Sequence, residues 1–257
     1  MVVFGITDLK GEFHPIAFNI TSHETEKDFV NFFSALSELA DEMELEFDPD
    51  FIMMDASDAC YNAADKVFNA KILMCWYHMK TNVRKVCLPL LSQSDYEVLL
   101  SEMDWLHNSL STEELNERIV EWKKDWVGQH QVYKYICNQW LQGRWTNWQI
   151  FHTPPGYANT NSNIESFNAQ IKSFTQHKKK SIFGMVEKVE SIINYYGVTQ
   201  KNKWAYYPAF SSKLNKSALD FINSKDFLIE KVSKNKYRIG KYIINILLKA
   251  CNCRFFL

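Results

Sequence analysis

Residues 51–55 read Phe-Ile-Met-Met-Asp, and residues 70–75 read Ala-Lys-Ile-Leu-Met-Cys. Each is a short, largely apolar run, which is the pattern of a buried strand in an α/β sheet. Between them, residues 57–68 predict a helix that turns its alanines and Val67 inward. Two strands joined by a helix predict an α/β fold.

The flanking segments extend this pattern in both directions. Residues 2–7 and 13–20 predict a β-hairpin around the Asp- and Gly-containing turn at 8–12. A helix that Thr21 or Ser22 could cap follows the hairpin, so the chain to Cys75 reads ββαβαβ. From about Met79 to Trp148 the periodicity is helical. Its recurring aromatic residues predict packing between helices, and not a cofactor site.

Composition limits the class of protein. The chain has 257 residues, of which 46% are hydrophobic and 23% charged, so wholesale disorder is excluded. No apolar run approaches the ~18 residues that suggest a membrane span, and the first residues lack a signal-peptide pattern. We therefore expect an intracellular protein without a membrane partner, whose six cysteines are reduced thiols or metal ligands.

The net charge of -1 conceals an asymmetry along the chain. Residues 1–165 contain 12 Lys and Arg against 25 Asp and Glu, whereas residues 166–257 contain 17 against 5. A basic second part is typical of a surface that binds polyanions. A solvated helical surface would have the same composition, so charge alone leaves both interpretations open.

Two candidate sites follow the two buried strands. Asp55 ends the first, where ligands gather in open α/β sheets, so it could bind a metal, act as a base or cap the next helix. Cys75 and His78 follow the second strand and are spaced to share one metal. The alternative for this pair is a buried thiol beside a hydrogen-bonded histidine.

Two further candidates lie later in the chain. Glu165 falls near the start of an amphipathic helix, where it could line a cleft or simply favour the helix N-terminus. Cys251 and Cys253 are too close for a relaxed disulfide and look like half of a zinc site, although they could be incidental.

In this order and spacing, the motifs resemble those of a Mutator-like element (MULE) transposase. The resemblance covers most of residues 1–175, and Tyr237 to Cys253 resembles the first half of a SWIM-type zinc finger. The matching stretches are Gly5-Ile6-Thr7-Asp8 with His14-Pro15-Ile16-Ala17, Glu24-Thr25, Met53-Met54-Asp55 with Ala63 and Phe68, Cys75-Trp76-Tyr77-His78, and Thr160-Asn161-Ser162-Asn163-Ile164-Glu165.

The resemblance implies an RNase H-like fold, a mixed sheet flanked by helices. Residues 1–78 and 151–196 would form the transposase core, with residues 79–150 as a helical insertion. Residues 197–236 would connect this core to a truncated zinc-finger start at 237–257, and we expect the C-terminal part to be mostly helical.

The resemblance also implies chemistry. Family members cut and join DNA with three acidic residues that hold two divalent metals. Asp55 matches the second acid and Glu165 the third, so both are the expected catalytic residues and ligands of Mg²⁺ or Mn²⁺. Cys75 and His78 match a Cys-x-x-His pair near that site, and Cys251 with Cys253 would hold zinc in part.

DNA, either transposon ends or target DNA, is the partner that the resemblance implies, with a homo-oligomer left open and the nucleus as the expected location. The basic side chains that could contact its phosphates are Lys172, Lys178, Lys179 and Lys180.

The chain departs from the family pattern in lacking the first of the three acids, and this affects the activity that we expect. The family's first acid lies on a strand upstream of the hairpin, and Asp8, in the hairpin turn, is not a plausible substitute. We therefore expect a fragment or a decayed copy with incomplete activity. A non-catalytic DNA-binding or regulatory protein is the alternative within the same lineage. An unrelated interaction module that binds through exposed tryptophans is the third hypothesis.

Overall fold

A computed structural model describes residues 1–9, 11–154, 157–158, 160, 162–174, 181–199, 216, 219–220, 228–240, 242–245 and 250–251. Helices predominate, and the sheets are small. The strands are β1 (Val2–Thr7), β2 (Phe13–Asn19), β3 (Phe51–Met54), β4 (Lys71–Met74), β5 (Ile229–Ser233), β6 (Lys236–Ile239), β7 (Tyr242–Asn245) and β8 (Ala250–Cys251). The helices are α1 (Glu26–Glu42), α2 (Asp58–Val67), α3 (Trp76–Cys87), α4 (Gln93–His107), α5 (Thr112–Trp126), α6 (His130–Ile136), α7 (Ser162–Phe174) and α8 (Ile182–Thr199).

The hairpin β1–β2 is confirmed, and it separates two apolar layers. Val2 and Phe4 pack on the side of α1, where Phe4 meets Phe33 edge to face. Val3 packs on the opposite side, against the cluster formed by α7 and α8. Alternate residues of a strand point to opposite faces, so one hairpin can bury both.

A bulge in the hairpin depends on glycine. The register between β1 and β2 shifts between Phe4 and Gly5. A Cβ atom added at Gly5 would lie 2.4 Å from the Phe13 ring and 2.5 Å from the backbone oxygen of His14. The partner strand thus passes too close for any side chain at this position.

We expect Gly5→Ala to lower the free energy of unfolding by about 1–3 kcal/mol, the usual cost of overpacking. Urea denaturation followed by circular dichroism measures this loss. Gly128→Ala is the matched control, because nothing lies within 4 Å of a Cβ at Gly128. Equal stabilities of the two variants would contradict the close approach.

The parallel pair β3–β4 with its crossover helix α2 is also confirmed, but it does not extend the hairpin. Met54 pairs with Met74 in register. On the outer side of β4, Asn147 accepts from the Met74 amide and donates its side-chain amide to the Ile72 carbonyl. Within the described ranges, no ladder joins β3 to β1, so the predicted single mixed sheet is seen as two separate pairs. The fold is mixed α/β, which is compatible with a transposase.

Two local predictions need correction. Helix α1 begins at Glu26 with Thr25 as its cap, not Thr21 or Ser22, because Thr25 and Asp28 exchange side-chain and backbone hydrogen bonds in a capping box. The prediction of a mostly helical C-terminal part is right for α7 and α8. It is wrong for residues 228–251, whose described strands β5–β8 form a four-stranded antiparallel sheet. Within this sheet, β6 and β7 form an antiparallel pair around Gly240.

The helices between residues 76 and 145 confirm the predicted helical periodicity, and they share the main core with β3 and β4. Among the described tryptophans only Trp105 is exposed, so the hypothesis of a binding face made of exposed tryptophans is wrong. The buried ones are Trp76, Trp122, Trp126, Trp140, Trp145 and Trp148.

His107 belongs to an aromatic stack with Trp76 and Trp148. Its ring is parallel to that of Trp76 with centroids 4.1 Å apart, and Nδ1 lies 2.7 Å from the Trp148 carbonyl oxygen. Burial lowers the pKa of His107 from its ordinary value of 6.5 to about 4, although the hydrogen bond to Trp148 opposes this shift. The folded protein therefore keeps this imidazole neutral.

We expect His107 to make stability depend on pH. A neutral His107 contributes fully above its ordinary pKa of 6.5, and this contribution is lost as the pH falls towards about 4, because the unfolded chain then binds the proton more tightly. The loss amounts to about 3 kcal/mol over that window. Urea denaturation at several pH values should show a shallower dependence for His107→Gln than for the parent. Parallel curves would contradict this result.

Candidate functional site

Two parallel strands carry the first part of the site. Because Met54 pairs with Met74, the residues that follow, Asp55 and Cys75, leave the sheet side by side. The Cys75 amide donates to the Met54 carbonyl at 3.0 Å, which extends the ladder by one more bond. The carboxyl ends of parallel strands are where ligand-binding residues of open α/β sheets collect.

The structure favours one of the alternatives for Asp55. The side chain that caps α2 belongs to Ser57, whose Oγ accepts from the Cys60 amide. The Asp55 carboxylate instead approaches His78, with Oδ1 2.6 Å from Nδ1. Asp55 is half exposed, so its carboxylate can also be reached from solvent.

Cys75 and His78 share the first turn of α3. Cys75 is the N-cap residue of this helix and is completely buried. His78, three residues later, folds back so that Nδ1 lies 3.3 Å from the Cys75 Sγ. The same nitrogen therefore faces both the thiol sulfur and the Asp55 carboxylate. Their potential ligand atoms all lie within 4.8 Å of one another.

Glu165 reaches the site from a distant part of the chain. It lies in the first turn of α7, which is fixed to the hairpin because Phe167 packs against Phe13 and Phe18. Its Oε1 is shielded from water and lies 3.2 Å from His78 Nε2, at ion-pair distance but without hydrogen-bond alignment. Asp55 and Glu165 thus lie at opposite nitrogens of one imidazole ring.

The remaining thiol near the site is unreactive. Burial, together with the nearby carboxylates of Asp55 and Glu24, raises the pKa of Cys60 to about 11. A thiol with such a pKa stays protonated at neutral pH and neither attacks nor binds metal readily.

A second group with metal-ligand chemistry lies in the hairpin turn. Asp8 is buried and accepts the Glu12 amide, while His14 Nε2 lies 3.4 Å from its other carboxylate oxygen. The turn lies beside α7, since a Cβ at Gly11 would be 3.7 Å from the Asn163 side chain. Asp8 itself contacts residues of its own hairpin, Glu12 and His14.

Other predicted residues fall outside this geometry. Lys172 is exposed on α7, seven residues or about two turns after Glu165, and hence on the same side of the helix. Cys251 ends β8, and its side chain is not described. Lys178, Lys179, Lys180 and Cys253 lie outside the described residues.

The comparisons with known proteins give a match in the first third of the chain. Residues 1–82 match the model of the MULE transposase domain. The matched segment is about a third of the chain and contains both sheet pairs of the core, Asp55, Cys75 and His78, but not Glu165. No curated protein matches the chain. Within the described residues, no helix is at once long and apolar enough to cross a bilayer.

Through the family resemblance, the sequence placed Asp55 and Glu165 together at one metal site with Cys75 and His78 near it. It did not predict that the His78 ring lies between the two carboxylates. The spacing of Cys75 and His78 was the available signal. The third contact depends on how α7 docks on the hairpin, which no local pattern encodes.

Proposed function

We propose that this protein has a transposase-like function, the metal-dependent cleavage of DNA strands, with Asp55 and Glu165 as its acidic pair. The observation that carries the proposal is that carboxylates 110 positions apart in sequence meet at the two nitrogens of His78. The match of residues 1–82 to the MULE transposase domain supports the same conclusion. An RNase H-like arrangement of the core belongs to this proposal.

The donor set is consistent with the metal that such chemistry needs. Two carboxylates suit the hard cations Mg²⁺ and Mn²⁺, and both retain contact with solvent. Asp55 and Glu165 would hold the ion, which would activate a water or a 3′-hydroxyl and stabilise the leaving oxygen of a phosphodiester. In the structure the His78 ring lies between the two carboxylates, so the ring has to turn aside when they share an ion.

Three further residues would assist the acidic pair. Without metal, His78 keeps the two carboxylates apart and shields each from the other's charge. Exposed Lys172, on the same side of α7 as Glu165, would contact a DNA phosphate and so align the strand with the acidic pair. Buried Cys75 supports the turn from which His78 projects.

The test is a cleavage assay on end-labelled duplex and single-stranded DNA with Mg²⁺, Mn²⁺ or EDTA. The proposal expects nicks that need a divalent cation. Cleavage that persists in EDTA, or none with either cation while the protein binds DNA, would contradict it.

The charge asymmetry favours a second candidate, a transposase-derived protein that binds DNA without cutting it. Residues 166–257 carry 17 basic against 5 acidic side chains. The affinity for DNA should then fall steeply with salt, since each neutralised phosphate contributes about -0.9 to the logarithmic slope. Fluorescence anisotropy between 50 and 200 mM NaCl measures this slope. DNA binding that weakens steeply with salt, without cleavage, supports this candidate. DNA binding that does not depend on salt, or no binding at all, excludes it.

A further inference from the structure

The side chains around His78 Nδ1 form a mixed donor set. They supply one thiol sulfur, one imidazole nitrogen and one carboxylate oxygen, from Cys75, His78 and Asp55. Sulfur and nitrogen ligands suit Zn²⁺, whereas Mg²⁺ prefers oxygen alone. Asp55, one of the two proposed ligands of Mg²⁺ or Mn²⁺, therefore also belongs to a set of donors that suits Zn²⁺.

The geometry around Nδ1 brings the three donor atoms together. Nδ1 carries at most one hydrogen, so it can donate to only one of the two atoms that it faces, the Cys75 sulfur at 3.3 Å or the Asp55 oxygen at 2.6 Å. The shorter separation is a hydrogen-bond distance, and the three potential ligand atoms all lie within 4.8 Å of one another. A metal that displaced the hydrogen between them would contact the nitrogen, the sulfur and the oxygen together once the Asp55 contact opens slightly.

The surroundings prepare two of these ligands. Cys75 is buried at the N-cap position of α3, which fixes its sulfur beside His78. Glu165 lies 3.2 Å from Nε2 of His78, on the side of the ring away from Nδ1, without hydrogen-bond alignment. A small rotation of either side chain would place it as the outer carboxylate of a carboxylate–histidine–zinc arrangement.

We propose that Asp55, Cys75 and His78 bind Zn²⁺, with Glu165 as a positioning residue and the fourth ligand supplied by water. Binding replaces the thiol proton of Cys75 with a sulfur–zinc bond, and the proton passes to solvent. The inference rests on the proposed function for its location, but it assigns a different cation. Because both ions would draw on Asp55, we expect Zn²⁺ to inhibit cleavage that depends on Mg²⁺ or Mn²⁺.

The test uses the full chain with Cys251→Ser and Cys253→Ser, which removes the other predicted zinc ligands. Titration with Co²⁺ as a spectroscopic probe should produce thiolate-to-cobalt charge-transfer absorption, and Zn²⁺ should abolish it. Competition with a chromophoric chelator then gives the dissociation constant for Zn²⁺. The absence of a thiolate band in this background overturns the proposal.

Variants assign the ligands. Cys75→Ser should remove the thiolate band and weaken Zn²⁺ binding at least 100-fold, and His78→Ala should do the same if Cys75→Ser fails to fold. Glu165→Gln should keep the band but weaken binding about 10-fold, at the lower end of the usual outer-ligand effect. Cys60→Ser is the matched control because its thiol lies near Asp55 and stays protonated. Loss of the band in Cys60→Ser, or its persistence in Cys75→Ser, overturns the assignment.

Failure of this inference and failure of the proposed function are separable. Zinc binding is measured without DNA, whereas cleavage is measured with Mg²⁺ or Mn²⁺ after zinc has been removed by chelation. A protein that binds Zn²⁺ through Cys75 but cuts no DNA contradicts only the proposed function. One that cuts DNA but has no thiolate band contradicts only the zinc site.

Discussion

Glu165→Gln is expected to lower metal-dependent DNA cleavage by roughly 10²- to 10³-fold, since a metal ligand supplies several kcal/mol of charge stabilisation in the transition state. The change removes one negative charge and keeps the shape of the side chain. It also leaves intact the contacts of Phe167 with the hairpin, which fix α7. The measurement is the initial rate of nicking of end-labelled DNA with Mn²⁺.

The partner of Glu165 should behave in the same way. Asp55→Asn removes the charge on the other side of His78, and the double variant should be hardly slower than either single variant, because residues that act as one unit are not additive. Glu190→Gln is the matched control for loss of a carboxylate, because Glu190 is exposed on α8. Independent, multiplying effects of Asp55→Asn and Glu165→Gln would contradict a shared ion.

The core strands could be predicted because their signals are local. Apolar runs that end at Asp55 and Cys75 identify β3 and β4, and the short turn at 8–12 identifies the hairpin. The relation of the two strand pairs could not be predicted, because it depends on helices that pack between and around them. Strand β5 was missed because Ile229 to Ser233 contains only two apolar residues.

The site was partly predictable for a related reason. The ends of neighbouring parallel strands meet at one edge, so Asp55 and Cys75 are brought together by register alone. The approach of Glu165 depends on long-range packing, in which Phe167 rests on Phe13 and Phe18. Motif order could nominate Glu165, but the tertiary contact alone places it at His78 Nε2.

Trp148→Ala is expected to lower the free energy of unfolding by about 3–5 kcal/mol, the usual cost of removing a buried tryptophan. Its indole stacks on Trp76 at 5.3 Å, and Nε1 donates to the Trp140 carbonyl at 2.8 Å. The substitution would leave a cavity beside His107. A loss of this size is a large share of the 5–15 kcal/mol that stabilises an ordinary domain.

Two companion variants of Trp148→Ala separate packing from hydrogen bonding. Trp148→Phe keeps much of the stack but leaves the Trp140 carbonyl without its indole donor, so we expect a smaller loss of about 1–3 kcal/mol. Trp105→Ala is the surface control: it removes a cation–π contact with Arg118 and should cost only about 1 kcal/mol. Urea denaturation monitored by circular dichroism ranks the three. If Trp105→Ala lowered the free energy of unfolding most, the prediction that the stack of Trp76, His107 and Trp148 stabilises the core would be wrong.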